Sequence, residues 1–313
     1  FKNFENIVFT GGLFLNVKIN ESIQKSKIFK NCFFPVAPSD SGLALGGVLS
    51  QNIKLKKKYT GKFGLSPYLG PSFDKKEIYK QIKFFKLNYS IPRKIENDIA
   101  QEIQKKKIIG IFFERAEYGQ RSLGNRSILA DPRDKFSKER LNQKIKKRDW
   151  FMPFAPAILD ESYSKYFNCH NPSYYMQKAV RVKDKVLKSI PSAVHVDKTS
   201  RVQFVDKKIS PKFWRIINEF YKISGMPIVL NTSFNRHGIS TICSPRQAIE
   251  HLLEGSIDIL YLEKFKISFS KNRKFKKDNE KIEKEKKLLK KNNINWLKKN
   301  KILMKKKSIV QYK

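Results

Sequence analysis

The chain has 313 residues, 40% of them hydrophobic, which is long enough for two domains and apolar enough to give each a core, so a natively disordered polypeptide is excluded. With 66 Lys and Arg against 28 Asp and Glu, the net charge is +38, a balance that ordinarily suggests nucleic acid or an anionic membrane as partner. Lysine, however, outnumbers arginine by roughly four to one, whereas arginine's planar fork is the better reader of phosphates and bases, so the excess reads first as compositional bias and second as a polyanion signal.

Residues 6–20, NIVFTGGLFLNVKIN, read as a short buried strand, a Gly-Gly turn and a helix start. The same grammar returns at 32–52, where a strand-like run breaks at Pro35 and Pro38 and Ser39-Asp40 opens a helix of small residues. Two strand-to-helix turns in succession predict an α/β layer. From Leu55 to Asp74 lysines, glycines and prolines destroy any periodicity, which predicts a linker and a domain boundary near residue 70.

The second block opens with a helical pattern at 93–107 and a buried strand at 108–114. There follows AEYGQRSLGNRSILADPR, Ala116 to Arg133, whose arginines and glycines read as neither helix nor strand. A helix at 135–147, an apolar segment at 153–159, a strand at 201–205, an amphipathic helix at 211–224 and a buried strand at 226–235 come next. The last elements are a Ser-capped helix at 244–256, with Pro245 at its first position, and closing strand material from Ile257. Residues 271–313 form a Lys-rich, low-complexity tail, expected to be a solvated extension, with nucleic-acid contact as the alternative.

No apolar run approaches membrane-spanning length, and the three cysteines, Cys32, Cys169 and Cys243, are odd in number and far apart. A cytoplasmic protein is the expectation. The sequence starts at Phe1 rather than at a methionine and directly before a strand, so the true N-terminus is expected to lie further upstream.

Four polar clusters carry the chemistry. Arg121 and Arg126 flank Leu123-Gly124, where glycine permits close approach of backbone to ligand and guanidinium groups offer paired donors to oxyanions. Lys146 and Arg148 precede Pro153, Asp197 and Arg201 lie in HVDKTSRVQ, and Asn231, Ser233 and Asn235 follow a buried strand, at the kind of strand end where α/β folds place ligands. This set offers cations, hydroxyls and amides but no nucleophile with its base, which suits an anionic, nucleotide-like substrate activated by positioning and charge stabilisation.

In order and spacing, AEYGQRSLGNRSILADPR, NQKIKKRDWFMPFAPAIL, HVDKTSRVQ and VLNTSFNRHG closely resemble the C-terminal domain of the O-carbamoyltransferase family, over about residues 108–265. TGGLFLNVKIN and PVAPSDSGLALGGVL are similar to the closing part of that family's actin/Hsp70-like domain. The resemblance implies an α/β chain in three parts: a remnant of the actin/Hsp70-like (ASKHA) nucleotide-binding domain at 1–70, a mixed α/β YrdC-like domain at 71–270 and the basic tail at 271–313. It implies an enzyme that forms carbamoyl-adenylate from carbamoyl phosphate and ATP with Mg2+, and passes the carbamoyl group to a hydroxyl of a small acceptor. By that resemblance Arg121, Lys146 and Arg201 would act on the reacting phosphates. Arg126, Arg148, Asn231, Ser233 and Asn235 would bind nucleotide, Gly11, Gly12 and Asn16 would approach phosphates in the transfer site, and Asp40 would be one ligand of an Fe2+ ion. None of His170, His195, His237 and His251 has the spacing of a metal pair, and the family's iron-binding histidines would lie upstream.

The chain departs from the pattern at Met152, where Arg is usual, at Lys198, where a small residue is usual, at Gln120, where Pro is usual, and at 238–242, GISTI. An inactive nucleotide-binding homologue and a basic nucleic-acid-binding protein on a YrdC-like domain are the alternatives.

Overall fold

The structure, a computed structural model, describes residues 4–56, 66–146, 149, 152–169 and 171–270. The Lys-rich tail, Arg148 and His170 fall outside the described residues.

The first block is built as its alternation of apolar runs and turns dictates. Strand β1 (Asn6–Val8) leads through a 3-10 turn into helix α1 (Val17–Lys25), and β2 (Asn31–Phe33) into α2 (Ser41–Lys56). β1 and β2 pair in parallel, Ile7 opposite Cys32, and Phe9 stacks on Phe34 with ring centroids 5.2 Å apart. Asn16 is the N-cap of α1: its side-chain oxygen accepts from the N–H groups of Lys18, at 3.0 Å, and Ile19, at 3.4 Å.

The main body is a seven-stranded mixed sheet in the order β12-β11-β3-β4-β10-β5-β9. Its strands are β3 (Ile109–Phe112), β4 (Arg126–Ala130), β5 (Ala155–Leu159), β9 (Gln203–Val205), β10 (Ile228–Ser233), β11 (Ile259–Leu262) and β12 (Phe265–Ser268). β11 runs parallel to β3 and β9 parallel to β5, and the other neighbours are antiparallel. Three two- or three-residue strands, β6 (Phe167–Asn168), β7 (Val180–Val182) and β8 (Thr199–Ser200), form a separate small sheet.

Helices α4 (Ile95–Gln104) and α6 (Pro211–Ser224) pack on one another, and α6 also contacts β5 and β10. Their buried faces follow the 3.6-residue period: Ile99 and Ile103 from α4, and Phe213, Ile216, Ile217 and Phe220 from α6. Helix α7 (Pro245–Leu253) begins with a complete capping box, in which Ser244 and Gln247 each satisfy the other's backbone N–H, and it contacts β3 and β11.

Two elements differ from the sequence reading. Helix α3 (Lys75–Phe84) follows the breaker-rich stretch directly: its Lys and Glu hide an Ile78–Ile82 pair, four residues apart and fully buried. More consequentially, part of the arginine-rich segment, Arg126–Ala130, is strand. β4 lies in the middle of the seven-stranded sheet with all five residues buried, Arg126 included. A charged first residue and an apolar run of only three concealed a central strand, and the structure accommodates the charge by the contacts described below.

Candidate functional site

Strand order brings the polar motifs to one edge of the sheet. β10 runs antiparallel to both β4 and β5, with Ser233 opposite Ser127 and Asn231 opposite Ala155. The carboxyl end of β10 therefore meets the amino ends of β4 and β5, and with them the loop carrying Arg121 and the turn carrying Lys146. β9 joins β5 in parallel, Gln203 opposite Ala157, which adds the Arg201 segment to the same edge.

Side chains lock this convergence. The Asn231 amide donates to Gln203 Oε1 at 2.7 Å and to Ser122 O at 3.2 Å, while Gln203 Nε2 donates to Leu123 O at 2.8 Å. Three motifs far apart in sequence are thus joined one or two residues from Arg121, Arg201 and Ser233. Asn231 Oδ1 and Ser122 Oγ, both buried, have no hydrogen-bond partner among the described residues. An acceptor and a hydroxyl left in this way mark a place for a polar guest.

About 7 Å along β10, two residues on from Asn231, lies the second group. After α5 (Lys135–Leu141) the helix widens into a single π turn, Asn142–Lys146, a distortion that commonly marks functional positions. Lys146, only 1% exposed, aims its ammonium at Ser233 O (2.7 Å), Ser233 Oγ (3.1 Å), Asn235 O (2.9 Å) and Asn235 Oδ1 (2.5 Å). Ser233 Oγ in turn lies 2.6 Å from Asn235 Oδ1. Lys146, Ser233 and Asn235 are therefore one unit. Arg121 and Arg201 are half-buried at the same sheet edge.

Arg126 lies in a different environment from the other cations. Fully buried, it donates from Nη1 to Phe113 O (2.6 Å) and Asn125 O (3.1 Å), and from Nη2 to Glu114 O (3.1 Å) and Pro71 O (3.3 Å). Its guanidinium carbon sits 3.5 Å from the centroid of the Phe112 ring. Burial lowers its pKa to about 10, so it stays charged at neutral pH. Both Nη atoms thus face backbone carbonyls, a structural placement, while Nε has no hydrogen-bond partner among the described residues.

The shape of the loop before β4 depends on Glu117 and Gly124. Glu117 Oε1 accepts from the N–H groups of Leu123 (2.7 Å), Asn125 (2.8 Å) and Arg126 (3.2 Å), closing the loop on itself. Gly124 has φ +123°, and a Cβ there would lie 2.5 Å from Phe213 Cγ, so glycine is required for both reasons. The loop's other end leans on the first block: Gln120 Nε2 donates to Ser39 Oγ at 2.5 Å and the Tyr118 hydroxyl donates to Ser41 O.

There the remaining sequence-predicted residues gather. The N–H of Gly11, a residue in left-handed backbone at φ +114°, donates to Pro38 O at 2.5 Å, and Gly11, Ser39, Asp40 and Tyr118 share a cavity of about 540 Å³. Gly12 opens the 3-10 turn beside it, and Asn16 is engaged as the α1 cap. Asp40 is exposed, and among the described residues no group of three or more His, Cys, Asp or Glu is placed to hold a metal ion. The described residues do not make an iron site.

At the far side of the site, Asp197 Oδ2 meets Lys18 Nζ of α1 at 2.6 Å and its Oδ1 accepts from Thr199 Oγ1 at 2.6 Å. Partial desolvation pushes this carboxyl up, but the Lys18 and Thr199 hydrogen bonds outweigh it and hold the pKa well below the carboxylate range. His195 nearby is shifted down, chiefly by burial, with Asp197 opposing and Arg201 and Lys18 assisting. Lys198 pairs through its ammonium with Asp184 at 3.4 Å. Its φ of +59° explains why a small residue suits this position. Lys198→Gly is accordingly expected to raise stability by about 0.5–1 kcal/mol, because the exposed ion pair it removes contributes little. A higher urea midpoint would show this, and a lower one would refute it.

Comparison with known proteins decides the family. The model of the carbamoyltransferase C-terminus matches residues 100–268, more than half of the chain, including Arg121, Lys146, Arg201, Asn231 and Ser233. The chain belongs to the carbamoyltransferase C-terminus family. Among relatives, the uncharacterized protein MJ1051 of Methanocaldococcus jannaschii is 36% identical over 85% of this chain and 51% of its own length. The nodulation protein NolO of Bradyrhizobium diazoefficiens is 33% identical over 82% of this chain and 48% of its own. The chain thus spans about half the length of the curated relatives it matches. A full-length HypF crystal structure in the phosphate- and nucleotide-bound form is similar over 56% of this chain and 22% of its own, at 18% identity and a TM-score of 0.40. No helix among the described residues is long and apolar enough to cross a membrane.

Proposed function

We propose that this carbamoyltransferase-family chain carries the adenylate-forming site of an ATP-dependent O-carbamoyltransferase, with the seven-stranded domain corresponding to the YrdC-like half. The supporting observation is the convergence of Arg121, Lys146, Arg201 and the Ser233-x-Asn235 pair at one sheet edge, beside the unpartnered oxygens of Asn231 and Ser122.

In this reading carbamoyl phosphate first gives up phosphate to water, leaving carbamate. A carbamate oxygen attacks the α-phosphorus of ATP and pyrophosphate departs, giving carbamoyl-adenylate. The oxygen of an acceptor hydroxyl then attacks the carbamoyl carbon, AMP leaves, and the hydroxyl proton is lost to solvent. This chain's residues supply charge and position rather than a nucleophile. Arg121 and Arg201 offset the charge that grows on the leaving pyrophosphate, Lys146 fixes the Ser233–Asn235 turn against the nucleotide, and the Asn231 amide oxygen accepts from a sugar hydroxyl or base amine. Magnesium would reach the site on the triphosphate oxygens.

Incubation of the chain with ATP, carbamoyl phosphate and Mg2+ is expected to release pyrophosphate. Arg121→Ala should lower kcat by about a hundredfold or more. Removal of residues 271–313 should leave the rate intact. Absence of pyrophosphate release from the folded chain would overturn the assignment.

A further inference from the structure

Helix α1 and residues 27–30 face the 168–171 and 178–181 stretches across another cavity, of about 490 Å³, a volume in the range of small-molecule sites. Its floor is held in place by the helix. Asn20 of α1, fully buried, donates through Nδ2 to Gln177 O and to Phe14 O, each at 2.8 Å, and the N–H of Ala179 donates to Val17 O at 3.4 Å. These bonds fix the 177–179 stretch, and Lys178 with it. β7 pairs with β8, Arg181 opposite Thr199, and β8 runs directly into Arg201. The cavity therefore backs onto the candidate site, yet none of Arg121, Lys146, Arg201, Asn231 and Ser233 is among the described residues of its wall.

Lys178, only 5% exposed, lines this cavity. Its ammonium carries three N–H groups. Its one hydrogen bond among the described residues goes to Asn171 O at 3.1 Å, an oxygen that also accepts from Cys169 Sγ at 3.3 Å. Burial lowers the pKa of Lys178, with the thiols of Cys169 and Cys32 opposing. Gln24 adds a second unmet donor: its buried Nε2 has no hydrogen-bond partner among the described residues. Of the other charges in the wall, Lys25 meets Glu21 at 2.5 Å, Lys30 meets Glu5 at 3.2 Å and Arg181 meets Asp184 at 3.6 Å, while Lys27 is exposed. Phe29, Ala179 and Val180 make the wall apolar between these groups.

We infer that this cavity binds a small organic carboxylate with an apolar body. A buried ammonium is costly unless an anion balances it, and the bound carboxylate supplies that counter-charge. A carboxylate only accepts, and its two oxygens divide between the unmet donors of Lys178 and Gln24. A phosphate monoester is disfavoured, because its second charge would face Glu21 in the same wall with no further buried cation to balance it among the described residues. The apolar wall sets the rest of the ligand, since a bare ion would leave it wet.

Titration calorimetry on the whole chain tests the inference, with 2-naphthoate as probe, 2-naphthamide as its uncharged counterpart and acetate as a carboxylate without an apolar body. 2-Naphthoate is expected to bind about tenfold to a hundredfold more tightly than 2-naphthamide, the worth of one charge-assisted hydrogen bond, and far more tightly than acetate. Lys178→Met should remove the preference for the acid over the amide. Gln24→Leu, a milder change that guards against a folding defect in the first variant, should weaken 2-naphthoate by about fivefold. Arg121→Ala should bind 2-naphthoate unchanged, which separates this cavity from the adenylate chemistry. No binding, equal affinity for acid and amide, equal affinity for acetate, or a loss caused by Arg121→Ala and not by Lys178→Met would each overturn the inference.

Discussion

Arg126→Met is expected to destabilise the protein by about 3–5 kcal/mol, read as a drop in the urea midpoint at unchanged slope. Methionine fills much of the volume of the arginine stem but brings no donor. The carbonyls of Phe113, Asn125, Glu114 and Pro71, which now accept from the guanidinium, would lose that partner at the centre of the sheet. The stacking over Phe112 disappears with it. Arg126→Lys recovers only part of the loss, because one ammonium cannot span acceptors that a planar fork reaches from two nitrogens. The experiment also separates the two roles open to this residue. An arginine that holds phosphate would, when replaced, leave a stable protein that no longer binds nucleotide. A stability change below about 1 kcal/mol accompanied by loss of ATP binding would sink the structural role.

Arg126 also shows where the sequence ceases to be legible. Arginine beside glycine in a polar segment is the pattern of an oxyanion cradle, and Arg121 fits that pattern. Which of the two cations faces outward depends on where β3 and residue 71 pass, and those contacts reach from 12 to 55 residues away. By contrast β10 was readable directly, because a β-branched and aliphatic run followed by Asn-Thr-Ser changes period and polarity at one point. The convergence of motifs followed from strand order. That order places β10 between β4 and β5, although β4 to β5 spans residues 126–159 and β10 comes only at 228, and no local spacing encodes it.

The small residues divide in the same way. Gly124 and Lys198 both occupy left-handed backbone, and a family pattern flagged the second without giving its cause. Asn16 carries a local signal that fits two roles equally. An Asn immediately before an amphipathic run is a helix cap, and an Asn after Gly-Gly also resembles a phosphate contact. The hydrogen bonds to Lys18 and Ile19 show the cap in place. Glu117, which organises the arginine loop through three N–H groups, had only its position to recommend it, since a carboxylate among cations reads as a solvated neighbour.

Lys146→Met is expected to have the second large effect, on rate and stability together. Four oxygens of Ser233 and Asn235 surround an ammonium that has three hydrogens, so every proton is already held by the turn. Removing the charge frees two backbone carbonyls and breaks the link between the π turn and the end of β10, which should cost about 2–4 kcal/mol of stability. If the turn is what presents Ser233 to the nucleotide, pyrophosphate release should also fall by about a thousandfold. Loss of rate alone would not separate misfolding from misplacement, but a double-mutant cycle does. Lys146→Met and Ser233→Ala both remove the 3.1 Å hydrogen bond from the ammonium to Ser233 Oγ, so their effects on kcat should be non-additive, with a coupling of about 1–3 kcal/mol. Paired with Lys198→Gly, whose side chain pairs with Asp184 instead, Lys146→Met should show no coupling. Strict additivity between Lys146→Met and Ser233→Ala would mean that the two do not act as one unit, and the adenylate site would then have to be built without it.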